Sequence, residues 1–296
     1  MKFVTVRYQE QEAPGVLTKD DHGVFLFRQI LGDKAPVSVL DLIRKEDAEL
    51  IETIKDYLDN PAQDPYLLDQ VQLLAPITKP FRNIICLGLN YQDHADELEK
   101  SFAKDNPTPK APIYFGKMAT EIIGPGAIID LQGQVTNAID YEVEVVAVIG
   151  KKGKNIPAEE AYQHIFGYTI MNDLSARDLQ AAHTQWLRGK SLDTFTAMGP
   201  SIVHRELIEH PLELDLSCRV NNETRQNSNT RNFIFDLPYV ISDFSKGFTL
   251  EPGDMIATGT PSGVGMAYDP PKYLHKGDEV ICKVQGLGEL RNRLGE

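Results

Sequence analysis

Cysteine is scarce in this 296-residue chain, and long apolar runs and an excess of basic residues are absent from it. The three cysteines, Cys86, Cys218 and Cys282, lie far apart and form no C-x-x-C pair, which argues against a disulfide framework or a zinc–thiolate site. No apolar run approaches the roughly 20 residues that span a bilayer. The N-terminal stretch MKFVTVRYQEQE has no apolar signal core. We therefore expect a cytoplasmic protein.

The charge balance also excludes classes of partner. Asp and Glu number 43 against 30 Lys and Arg, so the formal net charge is −13. A protein that binds nucleic acid or an anionic membrane through its overall charge carries the opposite sign. Hydrophobic residues make up 42% of the chain and charged residues 25%, which is ordinary for a globular protein with a sizeable core. We expect a small molecule as the partner, and neither nucleic acid nor a membrane.

The pattern of apolar residues divides the chain into two parts. Residues 1–75 combine strand-like runs (MKFVTVRY and GVFLF) with a helical period over 39–60, and they predict a small α+β domain. The connector LLAPITKP leads into residues 76–296, where strand-like runs such as NIICLGL and YEVEVVAVIG dominate and helices such as 158–165 are few. Long helices are too rare for a doubly wound fold, so we predict an α+β chain with a strand-rich roll or barrel and peripheral helices.

The stretch IDYEVEVVAVIG carries the first functional signal. Successive side chains of a strand alternate faces, so Asp140, Glu142 and Glu144 share one face, which continues into Val146 and Val148. The polar face of a half-exposed strand would explain the acids alone. Carboxylates at the edge of a core, however, repel one another and lose hydration. A divalent cation removes that cost, and all-oxygen ligands favour Mg²⁺, Mn²⁺ or Ca²⁺ over zinc.

Other segments offer polar groups for the same site. Asp173 ends the apolar strand GYTIMND and suits a third ligand, although capping the following helix is the commoner role of such an Asp. His94 and Glu97 lie three apart on a helix, so the carboxylate can orient the imidazole as a general base; a solvated helix face is the commoner alternative. Lys190 is a candidate anchor for an anionic substrate. The loop ATGTPSGVG (257–265) offers amides and hydroxyls to a carboxylate or carbonyl oxygen.

The order and spacing of these segments resemble one known family. The segments NYQDHADE, DYEVEVVAVIGKKG, GYTIMNDLSARDLQ, GKSLDTF, SNT and PGDMIATGTPSGVG follow the order of the fumarylacetoacetate hydrolase family signature. The resemblance runs from about residue 80 to the C-terminus. It implies a mixed β-roll that forms a homodimer, with an N-terminal unit similar to the variable small domain of many bacterial members. The charged, proline-containing segment 97–112 is predicted to be a mobile lid behind the His94 helix.

Carried over by position, the resemblance assigns the metal ligands and the base. Glu142 and Glu144 of DYEVE and Asp173 of DLSARD match the family's metal ligands. The implied metal is Mg²⁺ or Mn²⁺, with Ca²⁺ as the alternative. His94 and Glu97 of NYQDHADE match the dyad that activates water.

The resemblance also assigns the groups that contact the substrate. Arg177, Gln180 and Lys190 match polar substrate-contacting positions, and Lys190 is counted with the catalytic groups. Thr260 lies on the T-G-T loop that faces the ligand. The expected ligand is a small 2-oxo acid held by the metal.

The function implied first is a metal-dependent hydrolase or decarboxylase. It would cleave a C–C bond in a 2-oxo or 1,3-dicarbonyl acid of the acylpyruvate, fumarylpyruvate or oxaloacetate type, through a metal-bound enolate. An isomerase, tautomerase or dehydratase of 2-hydroxymuconate-type or 2-oxo acids ranks second, because it uses the same enolate. A non-catalytic metabolite-binding protein ranks third, because such proteins tend to lose the base or a ligand and this chain retains both.

Overall fold

The computed structural model describes residues 1–102 and 108–295. The fold is mixed α+β and is built on one large sheet whose central strands are buried on both faces. Within the described residues, no helix is long and apolar enough to cross a membrane. Residues 103–107 of the predicted lid lie outside the described part of the chain, so the lid stays a prediction.

Strands and helices are numbered here in chain order. The strands are β1 (Lys2–Tyr8), β2 (Gln11–Leu17), β3 (Gly23–Leu26), β4 (Tyr66–Leu67), β5 (Gln72–Leu73), β6 (Ile84–Gly88), β7 (Ile113–Lys117), β8 (Ile128–Ile129), β9 (Ile139–Asp140), β10 (Val143–Ile149), β11 (Gly153–Lys154), β12 (Ile165–Asp173), β13 (Ser175–Ala176), β14 (Thr196–His204), β15 (Asp215–Val220), β16 (Glu223–Asn229), β17 (Thr249–Leu250), β18 (Met255–Ala257), β19 (Glu279–Val284) and β20 (Gly288–Leu294). The α-helices are α1 (Phe27–Leu31), α2 (Val39–Lys45), α3 (Ala48–Asp59), α4 (Gln92–Phe102), α5 (Arg177–Ala182), α6 (Leu187–Lys190) and α7 (Leu237–Ser245).

Two sheets carry the architecture. The large sheet has the strand order β4-β3-β2-β1-β14-β12-β10-β18-β6-β7, with β5 beside β1. Its neighbours are antiparallel except for β18 and β6, which run parallel. The second sheet has the order β16-β15-β19-β20-β8. This arrangement confirms the strand-rich fold with peripheral helices that the sequence pattern predicts and the mixed sheet that the family resemblance implies.

Strand β10 lies between β12 and β18 and is buried along its whole length. Val145 and Ala147 face the larger hydrophobic core, which includes residues of the second sheet. Val146 and Val148 face a second core that helices α2 and α3 help to cover. The face that carries Glu144 therefore turns apolar along the strand, as the sequence pattern predicts.

The N-terminal residues join the large sheet directly. Strand β1 pairs antiparallel with β14, with Phe3 opposite Ile202. The Phe3 ring also packs against Phe166, with centroids 5.0 Å apart, in the same core as Val146. Residues 1–75 thus share both a sheet and a core with the later part of the chain, and the domain boundary after residue 75 stays a prediction.

Two helical segments differ from their prediction. The period over 39–60 forms two helices, α2 and α3, because Glu46 takes a left-handed conformation (φ 49°) and ends the first helix. Asp47 then caps the second helix by accepting two backbone N–H groups of its first turn. Residues 158–165, predicted as a helix, contain a 3₁₀ helix at Ala158–His164, a form that is common in short connectors.

A core mutation tests whether the N-terminal residues fold with the rest. Phe3 is fully buried, so Phe3→Ala should lower the free energy of unfolding by about 3–5 kcal/mol. Because β1 pairs with β14, we expect one transition in urea, seen equally by far-ultraviolet circular dichroism and by the fluorescence of Trp186. Val37→Ala is the control, since Val37 is 83% exposed. Two separate transitions, of which only the first has a lower urea midpoint in Phe3→Ala, would instead support an independent domain 1–75.

Candidate active site

Three buried carboxylates meet where β10 and β12 lie side by side. Asp173 ends β12, and its backbone N–H donates to the carbonyl of Glu142 at 2.9 Å. Glu144 lies two residues further along, opposite Met171. One carboxylate oxygen from each of Glu142, Glu144 and Asp173 lies within 4.8 Å of the others. The structure thus brings together the three residues that the sequence predicts as metal ligands.

Asp173 does not cap the following helix. Helix α5 has Ala176 at its N-cap position, and no side chain accepts a hydrogen bond there. The two carboxylate oxygens of Asp173 accept instead from the ammonium groups of Lys117 at 2.6 Å and Lys190 at 2.7 Å. The capping alternative is therefore wrong.

Asp140, the first acid of the alternating stretch, lies apart from the other two. The strand is interrupted, because β9 pairs with β13 as a separate two-stranded sheet and β10 begins three residues after Asp140. The Asp140 carboxylate accepts the backbone N–H groups of Gly265 at 2.6 Å and Met266 at 3.0 Å, and Nε of Arg177 at 2.8 Å. The expectation that all three acids share one face around the metal is wrong for Asp140, which fixes a loop and an arginine.

Buried cations compensate these carboxylates. Lys190 Nζ donates to Glu142 Oε2 at 2.6 Å as well as to Asp173, and Arg177 donates to Glu142 Oε1 at 2.6 Å. Lys117 at the end of β7 is fully buried and also donates to Asp173. Sequence reasoning missed Lys117. A lysine that closes the apolar strand APIYFGK is the signal that would have found it.

The surroundings separate the pKa values of Glu142 and Glu144. Burial acts to raise the pKa of Glu142, but the Lys190 ammonium and the Arg177 guanidinium outweigh it and lower this pKa to about 2. Burial, together with the nearby carboxylates of Asp173 and Glu142, raises the pKa of Glu144 well above its usual range. Glu144 is therefore the carboxylate of the cluster that most readily keeps a proton.

This donor set suits a hard divalent cation. The cluster consists of carboxylates alone, and Glu144 forms no ion pair within the described residues. Oxygen-only ligands of this kind bind Mg²⁺ or Mn²⁺ in preference to softer metals. The residues present therefore fit a cation held by Glu142, Glu144 and Asp173.

The predicted base and its partner are in contact on helix α4. His94 Nδ1 lies 3.1 Å from Glu97 Oε2. Because a carboxylate accepts hydrogen bonds, this contact places the proton on Nδ1 and leaves Nε2 able to accept a proton. His94 is buried and borders the same cavity as Glu142, so the solvated-face alternative does not describe this pair.

The glycine-rich loop after β18 holds Glu97 from the other side. The Gly263 backbone N–H donates to Glu97 Oε1 at 2.9 Å. Gly263 has φ 96°, and a Cβ there would clash with the carbonyl oxygen of Arg225, so only glycine fits. The loop that was expected to contact substrate thus orients the partner of the base.

The SNT segment holds the start of the same helix. Ser228 Oγ donates to Asp93 Oδ2 at 2.6 Å, and Asn232 Nδ2 donates to Ser228 Oγ at 3.1 Å. Asp93 precedes His94, so this contact fixes the first turn of α4 against β16. Sequence reasoning noted the segment only as part of the signature and gave it no role.

A cavity of about 320 Å³ joins the carboxylates to the base. Glu97 and Asp173 are not among its lining residues, but they contact two of them, His94 and Lys190. The predicted site residues that line the cavity are His94, Glu142, Glu144, Arg177, Gln180, Lys190 and Thr260.

Two predicted substrate contacts line the cavity with their polar atoms already engaged. Arg177 donates to Asp140, to Glu142 and, at 2.8 Å, to Gln180 Oε1. Thr260 Oγ1 donates to the backbone carbonyl of Val143 at 2.9 Å and accepts from the side-chain amide of Gln226 at 2.8 Å. Gln180 uses its oxygen on Arg177, which leaves its NH₂ group for a ligand. The substrate contacts of these residues stay predictions.

The fold and the site together define a class of enzyme. The family model for the fumarylacetoacetate (FAA) hydrolase C-terminal region matches residues 83–295. The chain therefore belongs to the fumarylacetoacetate hydrolase family, which confirms the resemblance seen in the ordered motifs.

Its relatives carry different activities in their names. Oxaloacetate tautomerase YisK of Bacillus subtilis (strain 168) is 44% identical over 266 residues, which cover 88% of this chain and 87% of that protein. The structure of a fumarylacetoacetate hydrolase (EaFAH) from psychrophilic Exiguobacterium antarcticum matches with a TM-score of 0.84 at 36% identity, covering 100% of this chain and 99% of that one. A maleylpyruvate hydrolase from Sphingobium sp. SYK-6, in complex with manganese (II) ion and pyruvate, matches with a TM-score of 0.78 at 26% identity over 100% of both chains.

These similarities make the chain an enzyme of this family and change the order of the predicted activities. C–C hydrolysis or decarboxylation ranks first from the sequence, but the tautomerase relative supports an oxaloacetate-type substrate and the isomerase class that ranks second. The manganese in the maleylpyruvate hydrolase agrees with a divalent cation and leaves the choice between Mg²⁺ and Mn²⁺ open for this chain.

Metal binding should release a proton from Glu144. Because the pKa of Glu144 is raised, a cation that binds below this pKa must displace the proton. We expect the affinity for Mg²⁺ to rise with pH until Glu144 ionises by itself, with about one proton released per ion below that point. Titration calorimetry in two buffers of different ionisation enthalpy measures the release, and a release of zero throughout the acidic range contradicts the assignment.

Without added metal, stability should depend on pH in the opposite direction. In the unfolded chain Glu144 ionises at its ordinary pKa, so between that value and the raised folded value the folded state binds more protons. The free energy of unfolding should therefore fall as pH rises through this interval. Denaturant unfolding at several pH values should show a flatter dependence for Glu144→Gln, while Glu121→Gln, at an exposed position, should match wild type. A curve for Glu144→Gln as steep as that of wild type would rule out Glu144 as the source.

Proposed function

We propose that this protein is a divalent-metal-dependent tautomerase that interconverts the keto and enol forms of oxaloacetate. The 44% identity to an oxaloacetate tautomerase over 88% of the chain supports the substrate and the reaction. The observation that carries the mechanism is the His94–Glu97 pair, whose imidazole borders the cavity next to the three carboxylates. A tautomerase needs a group that accepts and returns one proton, and this pair supplies it.

His94 is placed to move a proton between carbon and oxygen. Its Nε2 takes a proton from C3 of the keto form, the C2–C3 double bond forms, and the electron pair moves onto the carbonyl oxygen. The imidazolium then gives the proton to that oxygen, which produces the enol. One C–H bond breaks and one O–H bond forms, so the reaction consumes no water and needs no co-reactant.

Glu97 supports both steps from a fixed position. One of its oxygens accepts from His94 Nδ1 and the other accepts from the Gly263 N–H, so the carboxylate is held at both ends. Its negative charge stabilises the imidazolium that exists between the two proton transfers.

The charged end of the cavity, which is lined by Glu142, Glu144 and Lys190, suits an anionic 2-oxo acid. A divalent cation held by Glu142, Glu144 and Asp173 would supply Lewis-acid polarisation of the substrate carbonyl. Lys190 contributes a buried ammonium with three N–H donors, of which two are directed at Glu142 and Asp173. The third donor is available to a substrate carboxylate.

A second candidate is hydrolysis of a C–C bond in a 2-oxo acid. The 26% identity to a maleylpyruvate hydrolase, with a TM-score of 0.78, favours it. In that reaction His94 would take a proton from water instead of from carbon, and the product would be two acids. The products therefore separate the two candidates.

The direct test starts from the enol form of oxaloacetate. Its ultraviolet absorbance should decay faster with enzyme and Mg²⁺ or Mn²⁺ than without enzyme, and chelator should remove the acceleration. Nuclear magnetic resonance should show keto oxaloacetate as the product. Cleavage of acylpyruvates without any acceleration of the oxaloacetate tautomerisation would overturn the proposal in favour of hydrolysis.

Removing the base should stop turnover and leave the metal site intact. His94→Ala is expected to lower kcat by about 10²- to 10⁴-fold, the usual effect of losing general acid–base catalysis. Its Mg²⁺ affinity, measured by calorimetry, should match wild type, because the imidazole is no ligand. Gln92→Ala, an exposed position on the same helix, is the matched control. Unchanged kcat in His94→Ala would remove His94 from the mechanism.

A further inference from the structure

One side of the cavity is apolar. This apolar wall is made of Leu87, Gly88, Leu89, Ile113, Phe115 and Trp186. Trp186 is the only tryptophan of the chain, and no motif in the sequence assigns it a role. It is half-buried and immediately precedes helix α6.

The Trp186 indole packs against two neighbouring strands of the large sheet, β6 and β7. A Cβ at Gly88 of β6 would lie 2.7 Å from indole Cη2 and would clash with Cζ3, so only glycine leaves room for the ring. Phe115 on β7 meets the indole edge to face, with centroids 5.2 Å apart and an interplanar angle of 68°. The position of the indole is therefore determined by the sheet.

The wall begins at the charged end of the cavity. The Lys190 backbone N–H donates to the Trp186 carbonyl at 3.1 Å, so the two residues lie one helical turn apart. Lys190 Nζ also lies 5.4 Å from the centroid of Phe115. Phe115 thus contacts both the Lys190 ammonium and the Trp186 indole, so a ligand whose carboxylate lay at Lys190 could extend along Phe115 toward Trp186.

We propose that Trp186 is a specificity-determining residue that limits the size of the substituent at C3 of a 2-oxo acid. The indole lines the cavity of about 320 Å³ beside Phe115, so it occupies space that a larger, branched C3 substituent would need. The inference rests on the proposed function only in taking 2-oxo acids as the ligand class. It does not depend on tautomerisation being the reaction.

The single tryptophan makes ligand contact directly observable. Pyruvate added to the wild-type enzyme with Mg²⁺ should change the Trp186 emission in a saturable way, because the bound acid lies along the wall. Acetate, which has a carboxylate and no 2-oxo group, is the control ligand. Pyruvate binding that calorimetry detects and the emission does not would overturn the placement of Trp186 beside the ligand.

Trp186→Ala tests the size limit. The affinity for 4-methyl-2-oxopentanoate relative to pyruvate, measured by calorimetry with Mg²⁺, should rise at least about tenfold over wild type. Leu187→Ala changes the next residue, which is exposed and outside the apolar wall, and should keep the wild-type ratio. A wild-type ratio in Trp186→Ala would overturn the proposal.

Gly88→Ala provides a second route if Trp186→Ala does not fold. The added methyl group displaces the indole, so both the emission maximum and the ratio of affinities should change. Gly116→Ala on the paired strand is the matched control, since its Cβ comes no closer than 3.6 Å to a neighbour. If Gly88→Ala keeps both the wild-type emission maximum and the wild-type ratio of the two affinities, the proposal is overturned as well.

Binding and turnover separate this inference from the proposed function. If wild type does not tautomerise oxaloacetate but Trp186→Ala changes the ratio of affinities, the function fails and the size limit stands. If oxaloacetate is tautomerised and the ratio stays at its wild-type value, the size limit fails and the function stands.

Discussion

The compensation of buried charge at the junction of β10 and β12 is the constraint on which the rest of the structure depends. The four carboxylates and three cations gathered there, none more than 7% exposed, are Asp140, Glu142, Glu144, Asp173, Lys117, Arg177 and Lys190. An uncompensated buried charge costs several kcal/mol, so these groups must find partners for the fold to be stable. The pairing of β9 with β13, the start of α5 and the turn at α6 place Arg177 and Lys190 where the carboxylates need them.

Four carboxylates face three cations, so one carboxylate has no ion-pair partner within the described residues, and its location distinguishes a binding site from a structural ion-pair network. The oxygens of Asp173 and Glu142 are directed at lysine and arginine donors. Glu144 accepts a single backbone N–H, from Gly259 at 2.9 Å, and it borders the cavity. A network that served stability alone would balance its charges. Here the carboxylate without an ion-pair partner borders the ligand space, where a divalent cation would take the place of its proton.

Local periodicity was enough to mark the candidate residues within each element, and the resemblance of the ordered motifs then assigned their roles. Glu142 and Glu144 alternate along an extended stretch, Asp173 ends a strand, and His94 and Glu97 share a helix face at i, i+3 spacing. Each of these relations spans a few residues, so the sequence displays it. The alternation was misleading for Asp140, because backbone pairing interrupted the strand just after it, and side-chain pattern does not report such a break.

Contacts between distant elements were not predictable in this way. Lys117 meets Asp173 across 56 positions, and the Gly263 N–H reaches Glu97 across 166. The contact between the Trp186 indole and Gly88 likewise forms only when the fold brings β6 next to the start of α6. Charge compensation requires some partner for a buried carboxylate, but topology alone decides which lysine supplies it. The sequence therefore predicts the acids of the site better than the groups that hold them.

The charged end and the apolar wall of the cavity contribute differently to the choice of reaction. Carboxylates with a cation, and a base beside them, serve any reaction in which a carbonyl receives negative charge, so they do not separate a tautomerase from a hydrolase. The difference lies in which proton His94 Nε2 meets, that of a C3 carbon or that of a water molecule. If the ligand lies along the wall that contains Trp186, the space beside His94 would decide this, because a ligand that covers the base keeps water from it. Specificity for size and choice of reaction would then follow from the same wall.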